Sequence, residues 1–223
     1  FDQLFLSGAY AGNTINVYGS DPGFSVASNG GTHTAWEDVA LIREIPGAVI
    51  CDPADDVQME WIIKEFLKME GIHYVRSNRK AVRNVYKKGS SFKIGQGNIL
   101  KEGKDILIIA AGQLVSEALD CAEELEKEGY SVEVIDMFTI KPLDEKLLIK
   151  EAKGKSKIVT IENHSIYGGL GSAVSEVIAE NGISVPVKRI GVKEKFGQVG
   201  TAEFLQEEFG LTAKQIKETI CQF

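Results

Sequence analysis

The sequence has few of the residues that build metal sites and disulfide frameworks. Its three cysteines are widely spaced, and no CxxC pair occurs. Its three histidines form neither an HExxH motif nor a Cys/His zinc spacing. A disulfide-stabilised secreted domain is therefore not predicted, nor is a metal site built from this chain. A reducing cytoplasm is the simplest location for such a protein.

Basic charge and long apolar runs are also scarce. The 223 residues carry 25 Lys and Arg against 32 Asp and Glu, a formal net charge of −7. Because no basic excess exists to neutralise phosphates, nucleic acid and an anionic membrane surface are disfavoured as partners. The apolar run 106–111 is far too short to span a bilayer, and residues 1–4 do not resemble a signal peptide. The length predicts one large domain or two small ones.

The sequence does contain a regular alternation of apolar strands and amphipathic helices, clearest in its second half. Asp144 and Thr212 are suited to helix N-caps, and Gly129 is suited to a helix end. The alternation predicts βαβ units, a mostly parallel sheet and helices on both of its faces. Strands are predicted over 105–110, 132–136, 157–161 and 185–190, and helices over 114–128, 144–152, 171–180 and 213–221.

The first half predicts a smaller α/β unit. Strands are expected over 16–19, 48–51 and 73–75, and helices over 1–11, 34–45 and 55–69. Thr34 and Glu37 have the spacing of a capping box. A segment rich in Lys, Gly and Ser then predicts a linker, which divides the chain into domains over 1–80 and 104–223 with the linker over 81–103. A parallel sheet this small is poorly covered, so we expect it to pack against another domain or subunit.

The long, glycine-rich loop 19–33 is the strongest candidate for a binding site. It follows a strand, and ligand crevices in parallel α/β sheets form at the carboxyl ends of strands. His33 ends the loop, where it could shuttle a proton or hydrogen-bond a sugar hydroxyl. The alternative is a surface histidine whose partners are helix-capping groups.

Other candidates have structural explanations that remain open. Arg76 and Arg79 follow a strand and could bind an anion, or they could belong to a solvated basic patch. The glycines of 167–173 suit tight helix–strand packing better than a dinucleotide site. His164 is expected at a turn or interface, and Cys51 and Cys121 are expected in the core.

A set of short segments, in order along the chain, resembles thiamine-diphosphate-dependent transketolases. The pattern is most similar to the C-terminal section of a split, two-subunit transketolase. Related 1-deoxyxylulose-phosphate synthases and the β subunits of 2-oxo-acid dehydrogenases share much of it. The segments are Asn29-Gly30-Gly31-Thr32-His33, 37–43, Ile45-Pro46, Asp52-Pro53-Ala54-Asp55, Lys141-Pro142-Leu143-Asp144, Glu162-Asn163-His164-Ser165, Gly168-Gly169-Leu170-Gly171 and Phe196-Gly197-Gln198-Val199-Gly200.

The resemblance implies a fold, an activity and a partner. The fold is a pyrimidine-binding-type parallel α/β domain, incomplete at its N-terminus, followed by a transketolase C-terminal α/β domain. The activity is transfer of a two-carbon ketol unit between sugars or sugar phosphates, as in the pentose phosphate pathway. Thiamine diphosphate is the implied cofactor, and an N-terminal partner subunit would hold most of it with its divalent metal, Mg or Ca. A heterotetramer with a homodimeric core is the expected assembly.

Alternative activities remain within the resemblance. One is a 1-deoxyxylulose-phosphate-synthase-like or 2-oxo-acid-dehydrogenase-β-like subunit, and another is a non-catalytic regulatory relative. The family's catalytic Glu falls upstream of Phe1, so we expect the natural protein to carry an N-terminal part that precedes this sequence. That Glu would favour the enzyme, and its absence would favour the regulatory relative.

The resemblance also assigns site residues. His33 would be the catalytic, substrate-facing histidine, and Arg79 would bind a substrate phosphate. Ser20 and Asp21 would lie at the mouth of the substrate channel, and Phe1 near the aromatic wall around the cofactor's pyrimidine ring.

Two of the assigned positions depart from the family pattern. Asn29 replaces an Asp that reads a sugar hydroxyl, and it too would bind substrate. Asp21 replaces a phosphate-binding His, and a carboxylate there would repel a phosphate.

Overall fold

The structure, a computed structural model, describes residues 1–78 and 80–223. Its strands are β1 (Ile15–Ser20), β2 (Val49–Cys51), β3 (Ile72–Ser77), β4 (Asn98–Lys101), β5 (Ile106–Ala110), β6 (Val132–Asp136), β7 (Thr139–Lys141), β8 (Lys157–Ser165) and β9 (Val187–Val192). Its α-helices are α1 (Asp38–Arg43), α2 (Asp56–Phe66), α3 (Val115–Lys127), α4 (Glu145–Ala152), α5 (Leu170–Glu180), α6 (Ala202–Glu208) and α7 (Ala213–Gln222). A π-helix, Leu4–Tyr10, precedes β1, and 3₁₀ segments cover Gly23–Asn29 and Gly112–Leu114.

The strands of the described residues form two sheets. The first has the order β1-β3-β2-β7 and is parallel except for β7. The second has the order β4-β6-β5-β8-β9 and is parallel except for β4. The predicted mixed α/β fold with mostly parallel sheets is confirmed.

The two sheets share a hydrophobic core. Successive side chains of β5 point to opposite faces, so Ile106 and Ile108 pack with α3 and α7, while Leu107 and Ile109 face the other way. The core that contains Leu107 and Ile109 also contains Ile50 of the first sheet. The first unit therefore packs against the second unit of the same chain.

The segment predicted as a linker, 81–103, is part of the folded structure. Its β4 pairs antiparallel with β6. The rings of Tyr86 and Phe92 lie 4.7 Å apart, and Phe92 lies 5.8 Å from Phe138. A few aromatic side chains are enough to dock this polar segment, so the predicted linker is a folded, packed connection that includes a strand. In addition, β7 of the second half joins the first sheet through β2.

Helix starts were predicted with mixed success. Asp144 and Thr212 are N-caps, and their side chains accept from the N–H groups of Leu147 and Gln215. The capping box at Thr34 was wrong, because α1 begins only at Asp38 and the Thr34 hydroxyl donates to the Gly30 carbonyl. The sequence did not predict α6, β4 or β7.

Within the described residues, no helix is long and apolar enough to cross a membrane.

Candidate active site

The loop predicted as a binding site starts at the carboxyl edge of the first sheet. Ser20, the last residue of β1, is paired in register with Ser77 at the end of β3. The chain then turns at Asp21, whose φ is 55° and whose N–H donates to the Ser77 carbonyl at 2.7 Å. The loop continues through a 3₁₀ segment and ends near His33.

The predicted site residues of this loop differ in exposure. Ser20, Asn29 and His33 are exposed, whereas Asp21 is only 5% exposed. The Nδ1 atom of His33 lies 2.9 Å from the Thr32 hydroxyl, which orients an otherwise open imidazole. His33 does not cap a helix, because α1 begins only at Asp38. Among the predicted site residues of this loop, the exposed groups available to a polar ligand are therefore the hydroxyl of Ser20, the amide of Asn29 and the imidazole of His33.

The other two predicted site residues lie outside this loop. Phe1 is half exposed, and its ring centroid is 5.7 Å from that of Phe5. The helical segment that follows Phe1 leads into the amino end of β1. Arg79 lies outside the described residues. The roles of Phe1 and Arg79 stay predictions.

A buried ionic cluster lies beneath the loop, centred on Arg76. This side chain is 1% exposed, so the solvated basic patch was the wrong interpretation for it. Its Nε donates to Asp38 at 2.9 Å and its Nη1 to Asp52 at 2.8 Å. Burial raises the pKa of Asp38, but Arg76 and His164 outweigh burial and hold that pKa below its usual value. The cluster is therefore a charged, hydrogen-bonded junction between α1, β2 and β3.

The second unit adds two titratable residues of β8 to this cluster. Glu162 Oε2 lies 3.7 Å from His164 Nδ1, and His164 Nε2 lies 3.7 Å from Asp38 Oδ1. Burial raises the pKa of Glu162 to about 7, although the N–H groups of Leu170 and Gly171 donate to its carboxylate. Burial and the nearby Arg76 lower the pKa of His164 to about 4.

A groove of about 240 Å³ lies between the loop and the second unit. Three polar side chains line it in one hydrogen-bonded chain: Gln113 donates to the Ser25 hydroxyl at 2.9 Å, and Ser25 donates to Asn78 at 2.6 Å. Lys80 also lines this groove and a second one of about 320 Å³. Within the described ranges, no group of three or more His, Cys, Asp or Glu side chains is placed to hold a metal ion.

The sequence reading missed Arg76 and His164 as members of a buried cluster and Asn163 as a loop contact. The signal was present, because charged and amide side chains interrupt strands that are otherwise apolar. Such groups are buried only with partners, so they indicate a junction with another element. The sequence positions of these residues did not show which element supplies their hydrogen-bonding and ionic partners.

Comparison with known proteins finds a family match. Residues 95–216 match the family model "Transketolase, C-terminal domain". The chain is 42% identical over 215 residues to the 6-deoxy-6-sulfo-D-fructose transketolase subunit SqwH of Clostridium sp. (strain MSTE9), covering 96% of this chain and 66% of that protein. It is 34% identical to an apulose-4-phosphate transketolase subunit of Phocaeicola vulgatus, covering 100% of this chain and 71% of that one.

A solved structure is similar over the whole chain. It is a split-gene transketolase described as an inactive β4 tetramer, and it superposes with a TM-score of 0.89 at 35% identity. The match covers 100% of this chain and 70% of the solved one. The chain thus spans about two thirds of the length of these split subunits.

Proposed function

Because this chain belongs to the transketolase family, we propose that it forms the pyrimidine-side part of a subunit of a thiamine-diphosphate-dependent transketolase. The subunit transfers a two-carbon ketol unit between sugars or sugar phosphates. One observation carries the proposal. The exposed amide and imidazole of Asn29 and His33 share one loop at the carboxyl edge of a parallel sheet, in a chain 42% identical to a sulfosugar transketolase subunit.

The loop residues are suited to a polyhydroxylated substrate. His33 hydrogen-bonds a sugar hydroxyl and moves its proton through an exposed ring nitrogen. Asn29 hydrogen-bonds a neighbouring hydroxyl without adding charge. Ser20 lies at the entrance, and Arg79 binds the anionic end of the sugar. Asp21 supports the loop from within, since its burial keeps its carboxylate out of open solvent.

The exposed apolar face of Phe1 is suited to binding the aminopyrimidine ring of thiamine diphosphate. The half-exposed ring of Phe1 beside Phe5 is an apolar face on which an aminopyrimidine ring can pack. Thiamine diphosphate supplies the carbanion chemistry of ketol transfer, which no amino-acid side chain provides. Phe1 orients the pyrimidine ring. The part of the loop that lies beyond β1, residues 21–34 (the loop 21–34), presents substrate to that ring.

A partner subunit completes the site. Within the described residues, no cluster is placed to hold the cofactor's divalent metal, magnesium or calcium, so we assign the metal to an N-terminal partner subunit. The similarity to a split-gene transketolase whose β4 tetramer is described as inactive supports the need for a second kind of subunit, and the assembly we propose is a heterotetramer built on a homodimeric core. We place this assembly in the cytoplasm, in line with the free thiols of the chain.

The test uses the full-length protein that contains this chain, with and without its partner subunit. Its intact mass is measured first, then thiamine diphosphate and Mg²⁺ are titrated in, and ketol transfer from hydroxypyruvate to glycolaldehyde is followed. Hydroxypyruvate is chosen because it carries the ketol unit next to a carboxylate and needs no phosphate site. Partner-dependent cofactor binding and transfer are expected.

Other results favour the alternative functions. Turnover of pyruvate in place of hydroxypyruvate favours a 1-deoxyxylulose-phosphate-synthase-like or 2-oxo-acid-dehydrogenase-like activity. Absence of cofactor binding in every pairing favours a non-catalytic relative, and the transketolase proposal then fails.

A further inference from the structure

The side chain of Asn163, on β8 of the second unit, holds the start of the loop 21–34 of the first unit. Its Nδ2 donates to the Pro22 carbonyl at 3.0 Å, and its Oδ1 accepts from the Phe24 N–H at 3.1 Å. One amide thus satisfies an acceptor and a donor on either side of a single residue, Gly23. Asn163 is only 2% exposed, so water does not compete for these bonds.

The fit between Asn163 and the loop leaves no room for a side chain. Gly23 has a φ of +56°, and a Cβ built on it would lie 2.0 Å from Asn163 Oδ1. The turn therefore needs a glycine for two reasons, its left-handed backbone and its contact with the amide.

Asn163 is itself fixed by the buried ionic cluster. Its backbone carbonyl accepts from Arg76 Nη2 at 3.0 Å, and the next residue but one, Ser165, donates its N–H to the Trp36 carbonyl at 2.9 Å. The strand β8 thus contacts the start of the loop, at residues 22–24, and the chain just after the loop, at Trp36. The pairing of β8 with β9 is irregular between Ile161 and Ser165, which leaves this stretch of β8 free to bond the loop instead.

The second unit also holds the far end of the loop. A Cβ on Gly31 would lie 2.2 Å from the Gly197 carbonyl, and a Cβ on Gly197 would lie 2.4 Å from the Thr34 hydroxyl. His33 therefore lies on a segment that is attached to the second unit at both ends. The asparagine amide is the polar part of that attachment, and the glycine pair is the steric part.

We propose that Asn163 is a positioning residue for ketol transfer: it sets the place of Asn29 and His33 through the backbone of residues 22–24, without touching substrate or cofactor. The inference rests on the proposed transketolase function. It also gives the second unit a role in the reaction, since catalytic geometry is sensitive to displacements of about 1 Å.

The test compares Asn163→Ala and Asn163→Asp in the full-length protein assembled with its partner. Asn163→Ala removes both hydrogen bonds, whereas the isosteric Asn163→Asp keeps the acceptor for Phe24 and sets a carboxylate oxygen against the Pro22 carbonyl. Asn181→Ala is the matched control, because within the described residues the Asn181 side-chain amide donates only to the Val177 carbonyl at the end of α5. The readouts are transfer kinetics with hydroxypyruvate and glycolaldehyde, thiamine diphosphate affinity and amide hydrogen exchange.

Both Asn163 variants are expected to lower kcat/KM by about 10- to 100-fold, with cofactor Kd within about threefold of wild type. Hydrogen exchange should rise over 22–34 and stay unchanged over the helices of the second unit, and Asn181→Ala should match wild type in all three readouts. Unchanged exchange over 22–34, or a lower melting temperature with wild-type kcat/KM, overturns the positioning role. A wild-type complex that does not transfer from hydroxypyruvate contradicts the proposed function instead, and the exchange result still decides whether Asn163 holds the loop.

Discussion

Glu162 and His164 lie two residues apart on one strand, with Oε2 and Nδ1 separated by 3.7 Å, and burial shifts their pKa values in opposite directions. The pKa of Glu162 rises to about 7, and that of His164 falls to about 4. Each shift favours the uncharged form, because both side chains are almost fully buried. The pair is thus a neutral contact over much of the weakly acidic range, beside the charged Arg76.

The two residues should give stability opposite dependences on pH. Between pH 4.5 and 7, Glu162 is protonated in the folded state and ionised in the unfolded state, so stability falls as pH rises. Between pH 4 and 6.5, His164 is neutral when folded and protonated when unfolded, so stability falls as pH falls. Each effect reaches about 3 kcal/mol at most, and the two oppose each other where the windows overlap.

Two substitutions separate these contributions. Relative to wild type, Glu162→Gln should gain unfolding free energy as pH rises from 4.5 to 7, and His164→Gln should gain it as pH falls from 6.5 to 4. Urea unfolding at four or five pH values measures both slopes. Slopes of the same sign in the two variants would contradict the assignment.

The buried guanidinium of Arg76 should matter far more to stability than exposed arginines do. Arg76→Met leaves Asp38 and Asp52 buried without their partner, a loss of about 3–5 kcal/mol in unfolding free energy. Arg83→Met is the control, since its ion pair with Asp120 is about half exposed and contributes about 1 kcal/mol or less. Equal denaturant midpoints for the two variants would rule out the role given to the cluster.

The sequence predicted elements whose signals are local. The continuous apolar run of β5 and the caps Asp144 and Thr212 depend on neighbouring residues, so they were found. The strand β7 is three residues long and pairs with β2, which lies far away in sequence, so no periodicity indicated it. The same holds for the candidate site, where the loop with His33 was identified but its attachment through Asn163 depends on tertiary contacts.

His33 should affect turnover and leave folding intact. Its imidazole is exposed and bonds only Thr32 among side chains of the described residues, so His33→Ala should shift the melting temperature by no more than a degree or two. Loss of a proton-transfer group should lower kcat by about 100-fold or more. Ser28→Ala, at an exposed position of the same loop, is the control and should retain most activity. A large loss of melting temperature with intact turnover would contradict the assignment.

Arg79 should act on one substrate class only. If its guanidinium binds the anionic end of a sugar, Arg79→Ala raises KM for a phosphorylated acceptor by about 10-fold or more and leaves KM for glycolaldehyde unchanged. Lys87→Ala, at an exposed lysine that lines neither groove, serves as the control, and a sulfonated sugar tests whether the site is selective for phosphate. Equal changes in KM for charged and uncharged acceptors would argue against an anion site.

The contact between Gly31 and Gly197 should affect kcat/KM independently of Asn163. Gly197 lies outside the left-handed backbone region, so Gly197→Ala adds only a steric conflict, with the new Cβ 2.4 Å from Thr34 Oγ1 and 2.9 Å from Gly31 Cα. The loop must shift to relieve it, and kcat/KM should fall by about 10-fold while cofactor affinity is kept.

Gly97→Ala provides the control for this substitution, because the three atoms nearest to its new Cβ all belong to side chains of the second unit, the nearest 2.9 Å away on Leu147. Flexible side chains can move aside, and the site lies elsewhere, so Gly97→Ala should reduce thermal stability and leave kcat/KM per folded enzyme unchanged. The two variants together distinguish displacement of the loop from general destabilisation. If both lower kcat/KM in proportion to their loss of stability, the second unit acts only as a scaffold, and the loop does not depend on its contact with Gly197.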